Sequence, residues 1–133
     1  MKIKHWVQTL ITAVLLHVAL IAISILEVFI YSMTIVRGKT EEFYSKHAEV
    51  SGPWVSGIFG SLFIVLLVRR FIRQQHDGPL VYAIALPVMY TIIDLILIGM
   101  WMNDWTHFTF TTILVNGLKL GASLLSYLIF RRK

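Results

Sequence analysis

The chain contains no cysteine, only three prolines and few charged residues, which make up 14% of its 133 positions. The missing cysteines exclude disulfides, thiolate metal sites and cysteine nucleophiles. The scarcity of charge excludes an ordinary water-facing surface, because soluble domains carry about 25% charged and about 45–50% apolar residues. Here 57% of residues are hydrophobic, and mean hydropathy is +0.76. Lipid is therefore the expected solvent for most of the chain. No nucleotide loop, metal triad or nucleophile paired with a base occurs. No cofactor is expected, and an enzyme is the least supported class. A single domain over residues 1–133 is the expectation at this length.

Four apolar segments stand out, at about 6–33, 54–68 (extending to about 73), 80–102 and 108–130. A helix needs about 20 apolar residues to cross about 30 Å of hydrocarbon. An all-α integral membrane bundle of four helices is thus expected, with an outer loop at about 35–52. The first segment is long enough to tilt or project, and the second is short. Lys2 and Lys4 before an apolar run are signal-like. The run exceeds the 7–15 residues, roughly, of a signal core, so an uncleaved helix is expected.

The net charge of +5 does not point to nucleic acid, because the basic residues cluster beside the spans. Lys2, Lys4, Arg69, Arg70, Arg73, Arg131, Arg132 and Lys133 fall on one side. Arg37, Lys39 and Lys46 fall on the other, offset by Glu41, Glu42, Glu49 and Asp104. Basic loops stay cytoplasmic, so both termini are expected inside, with a bacterial inner membrane as the setting. Trp6, Trp54, Trp101, Trp105 and Tyr127 lie near span ends, as amphipathic rings favour the headgroup layer. Ser51-Gly52-Pro53 reads as a cap followed by first-turn proline, and Asp77-Gly78-Pro79 as a turn. In the outer loop, Thr40, Glu41 and Glu42 suit the start of a short helix, with a plain hydrated loop as the alternative. Phe43 and His47 would then share a face, forming with Tyr44 a lid over any pocket.

Ionised groups at mid-bilayer cost at least about 2.5–3.5 kcal/mol and need a partner, water or ligand. His17, Ser24, Glu27, Tyr31 and Thr34 form one stripe at helical spacing. Pro87, Tyr90, Thr91 and Asp94 form a second, and Thr109, Thr112, Asn116, Lys119, Ser123 and Tyr127 a third. Depth at about 1.5 Å per residue places Glu27, Asp94 and Lys119 in overlapping layers. They are expected to converge on an outward-facing polar pocket, lined by Tyr31, Tyr90 and Asn116. Two acids facing one base leave a carboxylate free for a proton or cation. The alternative is a salt bridge that only holds the helices in register.

Pro87 either frees a backbone carbonyl or is passively tolerated. His17 reads as a packing histidine, since no second ligand at its depth suggests haem or metal. Small residues mark close helix approach: Ser56, Gly57 and Gly60 in the second span, Gly117 and Gly121 in the fourth. The Gly117 and Gly121 face points away from Lys119 and serves either packing within the chain or a homodimer. Two functions follow as expectations. One is binding or transport of a small cationic or polar ligand. The other is a non-catalytic accessory subunit holding a lipid, quinone or partner helix.

Overall fold

The computed structural model describes residues 2–74, 78–101 and 110–131. It is all-helical: α1 (Ile3–Ile30), α2 (Glu41–Gln74), α3 (Pro79–Trp101) and α4 (Phe110–Phe130). All four are long and apolar enough to cross a membrane. Large apolar side chains such as Ile11, Leu15, Ile25, Leu62 and Ile113 point outward, as lipid permits and water does not.

Local chemistry sets the helix ends. Hydroxyls within α1 bond back into the helix, Thr9 to the His5 carbonyl at 2.7 Å and Thr12 to that of Gln8 at 2.8 Å, so apolar surroundings leave neither unsatisfied. The helix closes in a π-helical turn, Tyr31–Ile35, whose Val36 N–H donates to the Tyr31 carbonyl at 3.1 Å. Gly38 then takes φ +70, a left-handed conformation that costs glycine little. The Tyr44 hydroxyl donates to the Val36 carbonyl at 2.7 Å and accepts from the Lys39 N–H at 3.2 Å, tying the connection to α2.

The second helix departs from the expected span. It starts at Glu41 rather than near residue 54 and runs 34 residues, so the connection covers only 36–40. The Thr40 carbonyl accepts from the Phe43 and Tyr44 N–H groups, and Glu41 and Glu42 occupy the first turn, where acidic groups suit exposed backbone N–H groups. Ser51-Gly52-Pro53 is therefore helix interior and not a cap. At about 1.5 Å per residue α2 is about 51 Å long, well beyond the hydrocarbon thickness of about 30 Å.

Cross-helix pairs fix the directions. Glu27 of α1 meets His47 and Ser51 of α2 at one end, and His5 meets Phe71 at the other, with ring centroids 6.1 Å apart. Two antiparallel hairpins, α1–α2 and α3–α4, lie side by side, so α1 adjoins α3 and α2 adjoins α4. At the hairpin end opposite the α1–α2 connection, Phe71 stacks on Tyr82 at 3.9 Å. Above them Leu16, Leu20, Ile64, Val68 and Leu86 fill the core.

Lipid tails are as apolar as leucine, so helix association here rests on close packing and hydrogen bonds. Gly57 admits Val115, whose Cγ1 lies 3.2 Å from where a Cβ would stand. Gly60 admits the Lys119 stem, with Cε only 2.7 Å from such a Cβ. Gly117 and Gly121 face open space, so they do not pack within the described chain. Pro87, buried in α3, has no N–H to offer the carbonyl four residues back, which belongs to Ala83. The Ser123 hydroxyl of α4 donates to that carbonyl at 2.5 Å, and Ser126 donates to the Val65 carbonyl of α2 at 3.1 Å. Of the features expected from sequence, His76, Asp77, Asp104, Trp105, the 102–109 segment and Arg132–Lys133 lie outside the described residues, as does the Trp101 side chain.

Candidate functional site

The polar stripes of the four helices come together, but in two places. Glu27 and Tyr31 belong to the first, at the α1–α2 connection. The Nε2–H of His47 donates to Glu27 Oε1 at 2.8 Å, and the Ser51 hydroxyl donates to Glu27 Oε2 at 2.9 Å. The Tyr31 ring stacks on His47, centroids 3.7 Å apart and planes within 3°. His47 and Ser51 are one helical turn apart on α2, which lets one carboxylate meet both. Phe43 lies against Tyr44, with ring centroids 5.7 Å apart.

The second cluster lies deeper. Lys119 is 1% exposed. Its ammonium donates to Ser56 Oγ at 2.8 Å and sits 4.0 Å from the Tyr90 ring centroid, a cation–π distance. The Tyr90 and Ser56 hydroxyls are 3.2 Å apart. Asp94 Oδ1 lies 3.7 Å from His17 Nε2, and the His17 and Tyr90 rings are 4.9 Å apart.

The expected meeting of Glu27, Asp94 and Lys119 is thus divided. Glu27 is ten residues along α1 from His17, about 15 Å at the helical rise, and its carboxylate is engaged by α2. Asp94 pairs with His17, and Lys119 forms no ion pair with a carboxylate among the described residues. His17 has a larger place than packing, and Ser56 is a hub as well as a small contact residue. Ser51 was obscured by its reading as a cap. A helical spacing of four from His47 would have paired them, had α2 been extended back to Thr40.

A cavity of about 690 Å³ adjoins the deeper cluster, in the half of the bundle nearest the α1–α2 connection. His17, Ser56, Tyr90, Asp94, Asn116 and Lys119 form its polar side. Leu20, Val28, Ala48, Pro53 and Val115 form apolar walls, and Tyr44 reaches its margin. Glu27, Tyr31, Phe43 and His47 do not line it. Ile21, Ile25 and Phe29 also border it and are 48%, 66% and 60% exposed. The cavity is therefore a cleft open sideways, on a surface of exposed apolar side chains. Two buried polar atoms among its lining residues, His17 Nδ1 and Asn116 Oδ1, have no hydrogen-bond partner among the described residues.

No known family matches the chain, no curated protein matches it, and no solved structure matches it.

No group of three or more metal-ligating side chains occurs among the described residues. Ser51 donates to the Glu27 carboxylate that His47 also meets, and Ser56 accepts from the Lys119 ammonium. The deeper cluster has the groups needed for recognition. A protonated amine, a carboxylate, an imidazole and an amide stand at the end of an apolar cleft.

Proposed function

We propose that this protein is a non-catalytic membrane subunit that binds an amphiphilic molecule of the bilayer in the cleft. The apolar walls hold the chain or ring body, and the Lys119–Tyr90–Asp94 side meets the polar head. One observation carries this reading: a cleft of about 690 Å³ joins an exposed apolar rim to a buried polar floor. Pockets of about 300–1,000 Å³ with mostly apolar walls and a few converging polar groups are the usual form of small-molecule sites.

The basic residues beside Lys2, Arg69 and Arg131 favour the cytoplasm for that end. The cleft then belongs to the outer leaflet of a plasma membrane, and both termini are inside. Cysteine labelling of intact cells at positions 39 and 73 tests this topology, with position 39 alone reacting from outside.

Binding is favoured over conduction because buried Leu16, Leu20, Ile64, Val68 and Leu86 fill the interior beyond the polar floor. Transport of a small cation is the second reading. It draws on the Asp94 side chain, which is 23% exposed and borders the cleft. Proteoliposome flux of protons, alkali cations or labelled amines separates the two.

Native mass spectrometry of protein extracted in mild detergent tests binding directly. A retained lipid-sized mass is expected, and Ser24→Trp, which fills the cleft, should remove it. A protein that retains nothing and binds no component of a total lipid extract would end this reading.

A further inference from the structure

We infer that the occupant of the cleft is an anionic single-chain amphiphile whose carboxylate or phosphate head pairs with Lys119. This rests on the binding role above and specifies its chemistry. Lys119 is a cation with 1% of its surface exposed, well inside a span. The groups it touches among the described residues are neutral: a serine oxygen at 2.8 Å and a tyrosine ring at 4.0 Å. An ammonium has three N–H donors, and only one has a hydrogen-bond acceptor among the described residues. Buried charges are ordinarily paired.

The nearby acid does not supply the missing partner. Asp94 lies on His17 at 3.7 Å and makes no ion pair with Lys119. The deeper cluster therefore combines a carboxylate 3.7 Å from His17 with a buried cation that touches only dipoles and feels that carboxylate from beyond ion-pair distance. That asymmetry selects against a cationic head, which would place a second positive charge beside the ammonium. Asn116 adds selectivity in the same place. Its side-chain oxygen is buried without a partner among the described residues, and it accepts a hydrogen bond from a hydroxyl rather than meeting an oxyanion. His17 Nδ1 is the second atom there without a partner among the described residues, on a side chain that is 10% exposed. An oxyanion receives hydrogen bonds from Lys119, and a hydroxyl on the same head, where there is one, donates to Asn116 Oδ1.

A cleft of about 690 Å³ favours a single chain. From Lys119 and Tyr90 the lining continues along one face of α1, through Leu20, Ser24 and Val28, toward the exposed rim at Ile21, Ile25 and Phe29. A tail leaving the rim enters the bilayer directly.

The experiment compares chains of one length and differing heads. Wild-type protein in maltoside micelles competes labelled hexadecanoate against hexadecanol, hexadecyl phosphate and hexadecylammonium. Hexadecanoate or the phosphate should bind at least tenfold tighter than the alcohol, which is about 1.4 kcal/mol. The better of the two anions identifies the source as a fatty acid or a phosphate-headed lipid. Lys119→Met should abolish the preference for anions, while Asp94→Asn keeps it. Equal binding of acid and alcohol by the wild type, or tighter binding of the ammonium, overturns the inference and leaves the cleft as a neutral or cation site. No binding by any of the four chains overturns the binding role itself. The wild-type comparison needs no variant to fold.

Discussion

Ser123 of α4 occupies the hydrogen-bonding gap that Pro87 leaves in α3. The proline has no N–H, so the Ala83 carbonyl loses its helical donor, and the serine hydroxyl reaches that oxygen at 2.5 Å. Ser123→Ala should cost about 1–3 kcal/mol, because a buried carbonyl is left unmade. Pro87→Ala restores an N–H in register. The double variant should then lose much less than Ser123→Ala alone, a coupling on the order of 0.5–3 kcal/mol. Unfolding in a mild detergent measures all three, and simple additivity would refute the pairing.

Ser56 and Ser61 give a second contrast on one helix. Ser56 accepts from Lys119 and lies 3.2 Å from the Tyr90 hydroxyl. Ser56→Ala removes both and should lower stability by about 1–3 kcal/mol. The Ser61 hydroxyl is buried with no partner among the described residues, so Ser61→Ala should be neutral or slightly stabilising. Thermal melts of both variants in the same detergent check the difference.

Glycines separate in the same way. A methyl at 60 would press on Lys119 and Leu20, and overpacking of this kind costs about 1–3 kcal/mol. Gly117 and Gly121 have nothing within 4 Å of the added carbon. Alanine at either should stabilise the single chain by up to about 1 kcal/mol through helix propensity. If both substitutions instead destabilise the protein in dilute micelles, the α4 glycine face is covered after all. Crosslinking would then look for a second copy on it.

Glu27 and His47 should couple strongly. A double-mutant cycle with Glu27→Gln and His47→Ala is expected to give an interaction of about 0.5–3 kcal/mol, since the pair is direct, at 2.8 Å, and only partly exposed. A cycle that sums to zero would mean that α1 and α2 are joined at this end by stacking and packing alone.

Much of the fold was legible because hydropathy and length report directly on lipid as a solvent. Three of the four helices start or stop within a few residues of expectation where both can be compared. The start of α2 was not legible. A polar stretch from Glu41 to Glu49 resembles hydrated loop, and Ser51-Gly52-Pro53 has the composition of a helix beginning. Continuity through Pro53 instead follows from contacts far along the chain, with Glu27 held by His47 and Ser51. The same error hid the separation of the site into two clusters. Counting charges by depth put Glu27 near Lys119, but depth says nothing about which neighbour claims a carboxylate first. Tyr90, Asp94, Asn116 and Lys119 do share one cavity, because their helical stripes all face the same side of the bundle. His17 joined them only once the packing of α1 on α3 was known.

The sideways opening at Ile21, Ile25 and Phe29 has a consequence for how such a cleft fills. A molecule reaching it arrives from the oil, so its occupancy follows mole fraction among lipids and not its level in the aqueous phase. A modest intrinsic affinity suffices for an abundant membrane component. Diluting the surrounding lipid would empty the cleft, and diluting the buffer would not.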